Sequence, residues 1–315
     1  MDEQLDKQEN NCLANDVANE NEPDKATNND KNTTEILPKY VNLVLSGGST
    51  RGISHIGAIK KLVEEKLLDL KKIECIACVS AGALLGVLIV LGFSIDQIWN
   101  FVFNLDFKKL IKPELLFLLE KCGMESGDTI YNLYNEILAK TTGIKNITFK
   151  ELFGITKIHF IIIASNLTDK KEVHYDYINT PDFSVSLAVR ISISIPCLFA
   201  PVVIDNKTYI DGGLFNNYPI NLFKDKIDKT VGILIRNKYN TRYKYLEEYF
   251  VAIMNLMIHN YFRKIEQKYK NNTVYVNQIP ENLSIFDFNV DNKIKIKLYK
   301  CGVVGAEKFI KKMKF

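Results

Sequence analysis

Cysteine is sparse in this chain and irregularly placed. Its 315 residues hold six, at positions 12, 75, 78, 122, 197 and 301, a pattern that excludes a disulfide-stapled mini-protein. Cys75-Ile76-Ala77-Cys78 has CxxC form, but no second Cys/His pair stands nearby to complete a zinc site. In a strand-like run, residues three apart also point to opposite faces, so the pair reads as core. The first 35 residues lack an apolar stretch, so no secretory signal is expected, and reduced thiols in a cytoplasmic compartment follow. No His/Cys/carboxylate cluster has metal-ligand spacing and no EF-hand loop appears. A nucleic-acid motif and a basic-aromatic groove pattern are missing too. The sequence therefore implies no metal, no cofactor and no nucleic-acid partner.

What is present is ordinary for a globular protein: 47% of residues are hydrophobic and 25% charged, enough to bury a large core. The net charge of +4 averages two unlike parts. Residues 1–38 hold ten Asp/Glu against three lysines, a net of −7, and the rest carries 38 basic against 27 acidic groups, a net of +11. The Asn-rich acidic start has too little apolar surface to offset the entropy of ordering, so 1–38 is expected to be a disordered tail and 39–315 a single domain. A basic body suits an anionic surface such as a phospholipid membrane. Residues 76–95 are uncharged for twenty positions, long enough to span a bilayer. The run reads instead as a buried strand feeding a buried helix, broken at Ser80-Ala81-Gly82.

Periodicity predicts a strand at 40–45, then a helix carrying Ile56, Ile59, Leu62, Val63 and Leu67. A strand at 73–79 and a helix from 81 to 91 follow. Residues 94–140 read as helical with breaks near Pro113 and at 123–127. Strands are expected at 157–165, 171–177, 202–210 and 273–279, with helices after Ser184, at 243–268 and at 291–312. In the last helix Ile294, Leu298, Cys301, Gly305 and Phe309 share one stripe, with the lysines mostly elsewhere. Strand–loop–helix units imply an α/β fold with a mainly parallel central sheet covered by helices.

Three short clusters carry chemistry. Ser46–Gly52 joins a strand to a helix, where glycines let backbone N–H groups meet an anion. It is not a P-loop, because Ile53-Ser54 stand where Lys-Ser/Thr is needed, nor a GxGxxG, because Ser49 replaces the second glycine. Cys78-Val79-Ser80-Ala81-Gly82 is a second strand-to-helix turn, with Ser80 where an exposed nucleophile would sit. Asp211-Gly212-Gly213 follows a strand and precedes Asn216-Asn217-Tyr218-Pro219. Each cluster alone also fits a plain turn. Their order places an anion loop, a serine and a carboxylate at strand ends, converging on one edge of a parallel sheet.

In that order the chain resembles the patatin-like phospholipases, lipid acyl hydrolases with a Ser-Asp dyad. Their GGGxRG loop corresponds to Gly47-Gly48-Ser49-Thr50-Arg51-Gly52, their GxSxG to 78–82 and their DGG to 211–213. Residues 192–202 (SISIPCLFAPV) and Asn217-Tyr218-Pro219 match flanking segments, and the resemblance covers about 40–310. It implies a phospholipase A or lysophospholipase with Ser80 as nucleophile and Asp211 as base. Gly47, Gly48 and Ser49 are the implied oxyanion hole, and Thr50, Arg51, Gly52, Gly82 and Gly212 its supporting loop and elbow. Arg51 either stabilises the loop or faces a lipid phosphate. The implied partner is a phospholipid or lysophospholipid at a peripheral membrane surface. Ser49 and Cys78 depart from family glycines, which removes freedom to take positive φ if those sites require it.

Other readings share these motifs: a catalytically silent membrane- or partner-binding module, or an acyltransferase using the same dyad. The order Ser80, Asp211, His259 also matches an α/β-hydrolase triad. His259, however, sits beside Asn255 and Arg263, off the apolar stripe of its predicted helix, which marks a solvated position. His55 lies one turn past the glycine loop, and His159 and His174 fall in strands. The eight lysines between 293 and 314 form either a solvated helix face or a contact for anionic headgroups.

Overall fold

The computed structural model describes residues 38–236, 249, 252–253, 264–277, 283 and 287–313. The acidic tail up to 37, His259 and most of the helix expected at 243–268 lie outside the described residues.

The strands are β1 (Asn42–Leu45), β2 (Cys75–Val79), β3 (Gly123–Glu125), β4 (His159–Asn166), β5 (Lys171–Tyr175), β6 (Cys197–Phe199), β7 (Val202–Ile204), β8 (Lys207–Asp211), β9 (Thr230–Ile235) and β10 (Thr273–Val276). The main helices are α1 (Ile53–Glu64), α2 (Ala81–Val90), α3 (Ile95–Asn104), α4 (Leu115–Lys121), α5 (Asp128–Thr142), α6 (Val185–Ser192) and α7 (Asn292–Met313). Strands β10, β9, β1, β2 and β4 pair in that order, all parallel. Alternation along them supplies two buried faces. Ile76, Cys78, Phe160 and Ile162 enter the larger core, while Ala77, Val79, Ile161 and Ile163 enter a second one. Burial on both sides is why these strands read as unbroken apolar runs.

Beyond β4 the sheet turns antiparallel. β4 outlasts β2: its residues 159–163 pair with β2, and 164–166 pair with β8, antiparallel. β5 pairs residues 162–166 of the same strand. A strand has two edges, so β5 occupies one, and β2 and β8 share the other, meeting end to end. Val79 is paired with Ile163 and Asp211 with the next residue, Ala164. The sheet is mainly parallel, but the expectation that all three clusters sit at the ends of parallel strands needs correction. Asp211 reaches the level of Ser80 from the opposite direction.

The strand expected at 202–210 is a hairpin, β7 and β8, closed by Asp205-Asn206 with both residues at positive φ. Asx residues favour that two-residue turn. The break expected at 123–127 contains β3, which pairs β6. The uncharged run 76–95 resolves into β2 and the ten-residue α2. Among the described residues no helix is long and apolar enough to cross a membrane. In α7 the buried set is Lys295, Leu298, Gly302, Gly305, Ala306, Phe309 and Ile310. Leu298, Gly305 and Phe309 of the expected stripe are thus buried and Ile294 and Cys301 half-buried, while Lys295 joins the core.

Candidate active site

Ser80 leaves β2 at φ 54°, ψ −125° and caps the N-terminus of α2. This backbone is rarely populated by a non-glycine residue and persists only where the surroundings hold it. Two contacts do so. The Ser80 N–H donates to the Ser192 hydroxyl at 2.9 Å, and that hydroxyl donates to the Ile163 carbonyl at 2.7 Å. On the other side α2 crowds the end of β1. A Cβ at Gly82 would stand 2.6 Å from the Leu45 carbonyl oxygen, so only glycine allows the approach.

Asp211 ends β8 with its N–H donating to the Ser194 carbonyl at 2.9 Å. Its carboxylate is buried, with Oδ1 accepting the Gly213 N–H at 2.7 Å and Oδ2 making no hydrogen bond of ordinary geometry. Burial pushes its pKa up to about 7, against the smaller opposing pull of the Ser80 hydroxyl and the Gly213 N–H. A carboxylate so placed can take a proton near neutral pH. Gly212 marks the junction, since a Cβ there would lie 2.7 Å from a Val79 methyl and collide with the Ile163 carbonyl.

The glycine loop folds beside this pair, and Ser49, Thr50, Gly52 and Ser80 line one cavity. Arg51 is buried, not turned to solvent. Its Nε and its backbone N–H both donate to the Gly48 carbonyl at 3.1 Å, and burial lowers its pKa to about 10. In a trans peptide the carbonyl and the next N–H point opposite ways, so fixing the Gly48 carbonyl fixes the direction of the Ser49 N–H. Both of these Arg51 bonds run to the backbone of the loop itself. The Gly47 N–H donates to the Asn217 carbonyl at 3.2 Å. Thr50 donates from its hydroxyl to the Asp287 carbonyl at 3.2 Å.

The two departures from glycine fare differently. Ser49 does take positive φ, at 52°. Cys78 is not among the positive-φ residues; it sits inside β2, fully buried, with its thiol 3.4 Å from the Ile161 carbonyl.

Sequence reasoning missed the turn at the end of α6. Ser192 holds Ser80 and the Ser194 carbonyl holds Asp211, so three consecutive residues, 192–194, brace both groups. Arg190 locks that turn, donating to the Ser194 hydroxyl at 2.6 Å, to the Ala200 carbonyl at 2.8 Å and to the Ser126 carbonyl. The only hint in sequence was the match of 192–202 to a flanking segment. Asn217, whose carbonyl holds the Gly47 N–H, likewise lies in a matched segment to which the sequence attaches no role.

The three described histidines, His55, His159 and His174, make local contacts away from a triad with Ser80 and Asp211. His55 is buried, its Nε2 is 2.8 Å from the Ser46 carbonyl, and burial lowers its pKa to about 4, so it stays neutral. His174 pairs with Glu172 at 2.6 Å and His159 lies 3.8 Å from Asp176. Among the described residues no group of three or more His, Cys, Asp or Glu side chains could hold a metal ion.

The cavity runs from Ser80 under α2 and α3. Apart from the polar groups near the serine its wall is apolar, with Leu84, Leu88, Phe101, Leu105, Ile195 and Phe199 among its lining. An acyl chain suits such a wall, and a polar substrate does not.

Residues 43–224 match the family model described as patatin-like phospholipase. The uncharacterized protein R571 of Acanthamoeba polyphaga mimivirus is 32% identical, over 86% of this chain and 94% of its own. The probable lipid hydrolase 463L of Invertebrate iridescent virus 6 is 31% identical, over 78% of this chain and 81% of its own. In fold, VipD from Legionella pneumophila superimposes with a TM-score of 0.57 at 16% identity, covering 87% of this chain and 67% of that one.

Proposed function

The chain belongs to the patatin-like phospholipase family, and from that premise we propose that it is a lipid acyl hydrolase of phospholipase A or lysophospholipase type. One observation carries the reading. A strained serine that lines an apolar cavity stands level with the end of the strand that brings in a buried carboxylate whose pKa burial raises to about 7. A relative named as a probable lipid hydrolase supports the same substrate class.

In the proposed reaction Ser80 Oγ attacks the ester carbonyl while its proton passes to Asp211 Oδ2, the oxygen not committed to the Gly213 N–H. The carbonyl oxygen becomes an oxyanion held by the Gly48 and Ser49 N–H groups. Gly47, whose N–H is committed to Asn217, supports the loop in place of the oxyanion role expected for it. Collapse releases the alcohol, which takes the proton back from Asp211 and leaves an acyl-Ser80 ester. Asp211 then removes a proton from water as it attacks that ester. The fatty acid departs and Ser80 recovers its proton. Burial of Asp211 supplies the basicity that a free carboxylate, with a pKa of about 4, lacks.

The test is release of fatty acid from mixed phospholipid vesicles in metal-free buffer, comparing the native chain with Ser80→Ala and Asp211→Asn. Both substitutions should abolish release. Activity that survives Ser80→Ala would refute the assignment.

A further inference from the structure

The two most exposed large apolar side chains among the described residues belong to one short helix. Leu116 is 69% and Leu119 78% accessible, three residues apart and so on one face of α4. Neighbouring leucines on water are unfavourable unless something covers them.

Their surroundings say what that is. The chain entering α4 divides its residues sharply. Phe107, Leu110 and Ile111 line the cavity, whereas Lys108 and Lys109 between them and Lys112 after them are exposed. On its far side α4 packs on β3, whose partner β6 places Phe199 in the same cavity wall. The exposed leucines therefore follow the cavity-lining stretch 107–111 within a few residues, on a helix that does not itself line the cavity. A second set of lysines is fixed to this wall. Buried Lys295 donates to the Phe103 and Leu105 carbonyls at 2.8 and 2.7 Å and lies over the Phe107 ring. That contact brings the first two turns of α7, with exposed Lys293 and Lys297, up to the segment. Acidic groups are present too. Asp106 is used as a helix cap, accepting the Lys108 N–H, and Glu125 accepts the Lys112 N–H, while Glu114 and Glu120 are exposed.

We propose that residues 107–121, with Leu116 and Leu119 inserted and Lys108, Lys109 and Lys112 flanking them, are the surface by which this protein docks on an anionic phospholipid bilayer. Apolar side chains preceded along the segment by Lys108, Lys109 and Lys112, which outnumber the exposed Glu114 and Glu120, match the acyl boundary and the charged headgroups of such a surface. Docking there sets the cavity wall against the lipid, so an acyl chain passes toward Ser80 without crossing bulk water. The inference rests on the acyl-hydrolase reading only for that last step. The lysine-rich α7 adds charge near the site, and the insertion is assigned to α4.

Binding is measured on the full chain carrying Ser80→Ala, which leaves the lipid intact, by co-sedimentation with vesicles of phosphatidylcholine and phosphatidylserine or of phosphatidylcholine alone. The parent should favour the mixed vesicles. Leu116→Ser with Leu119→Ser should weaken binding to both kinds by about tenfold or more. Lys108→Gln, Lys109→Gln and Lys112→Gln together should remove most of the preference for phosphatidylserine. With Ser80 restored, the leucine variant should still hydrolyse a soluble short-chain ester at the parental rate. Vesicle binding that is absent in the parent, or unchanged in the leucine variant, overturns the proposal. So does a dimer that the leucine changes dissociate, which would make the partner a second copy. If no ester is hydrolysed while vesicle binding follows the leucines, the docking surface stands and the hydrolase reading falls.

Discussion

The Ser80 backbone N–H is held by the Ser192 hydroxyl at 2.9 Å, and the same hydroxyl is anchored on the Ile163 carbonyl at 2.7 Å. Ser80, the proposed nucleophile, is thus tied in its strained conformation, through one buried side chain, to the strand that also pairs with β8 and the proposed base Asp211. Removing that hydroxyl strands a buried donor and a buried acceptor.

Ser192→Ala is therefore expected to lower stability by about 1–3 kcal/mol, as loss of a buried hydrogen-bonding partner does. It should also reduce kcat more than KM, because Ser192 touches the backbone of Ser80 and not the substrate. Ser192→Thr keeps the hydroxyl and should recover much of both. Urea unfolding together with initial rates on a soluble ester separates the two effects. A stability loss with kcat intact would leave Ser192 a packing residue only.

Asp211 sets the pH dependence. Its pKa is raised to about 7 in the folded chain, so kcat/KM for ester hydrolysis should rise through about pH 7 and level off above. The sign for stability is the reverse. The folded state holds the Asp211 proton more tightly than the unfolded chain, so its contribution falls as pH climbs from about 4 to about 7. Relative to Asp211→Asn, the native chain should lose on the order of 4 kcal/mol across that window and nothing further above it. Unfolding of both proteins at pH 4 and pH 8 checks this. A difference independent of pH would mean that Asp211 is not buried as a carboxylic acid.

Most of this architecture was legible in the chain. Strands β1, β2 and β4 and helices α1 and α2 announce themselves through apolar runs and helical spacing, and the three clusters carrying Ser80, Asp211 and the glycine loop gave the site its members. The direction in which Asp211 arrives was not legible. It depends on β4 being three residues longer than β2, a tertiary fact that leaves room for an antiparallel neighbour. The β7–β8 hairpin was hidden because its arms are only three and five residues long, too short to show alternation, although Asp205-Asn206 is itself a turn pair. The roles of Ser192 and Ser194 were invisible for another reason. Serines bonded to distant backbone groups leave no local pattern, and only the fold brings residue 192 to residue 80.

Arg51 offers a test of how the loop is aimed. Its two bonds to the Gly48 carbonyl fix the direction of the Ser49 N–H, one of the two donors proposed for the oxyanion. Loss of a full oxyanion donor typically reduces kcat by about 10²–10³. Arg51→Met keeps much of the side-chain volume without the donor and should approach that loss, with KM changed far less. Arg51→Lys, which cannot reproduce the Nε geometry, should recover little. Rates on a soluble ester read this without interference from membrane docking, and equal kcat in all three proteins would remove Arg51 from the machinery.

Ser49 carries a conformation that the family fills with glycine. At φ 52° a residue with a Cβ pays about 1–2 kcal/mol, and glycine gives back part of the relief because it is freer in the unfolded chain. Ser49→Gly should therefore stabilise the protein by a net of about 0.5–1 kcal/mol. Ser49→Val, branched at Cβ and disfavoured in that region, should destabilise by more than the glycine gains. The N–H survives either change, so the oxyanion loop keeps its donor as long as the backbone keeps its shape. Activity should hold in Ser49→Gly and fall in Ser49→Val, in step with thermal unfolding. Loss of activity in Ser49→Gly without loss of stability would mean that the hydroxyl itself acts on the substrate.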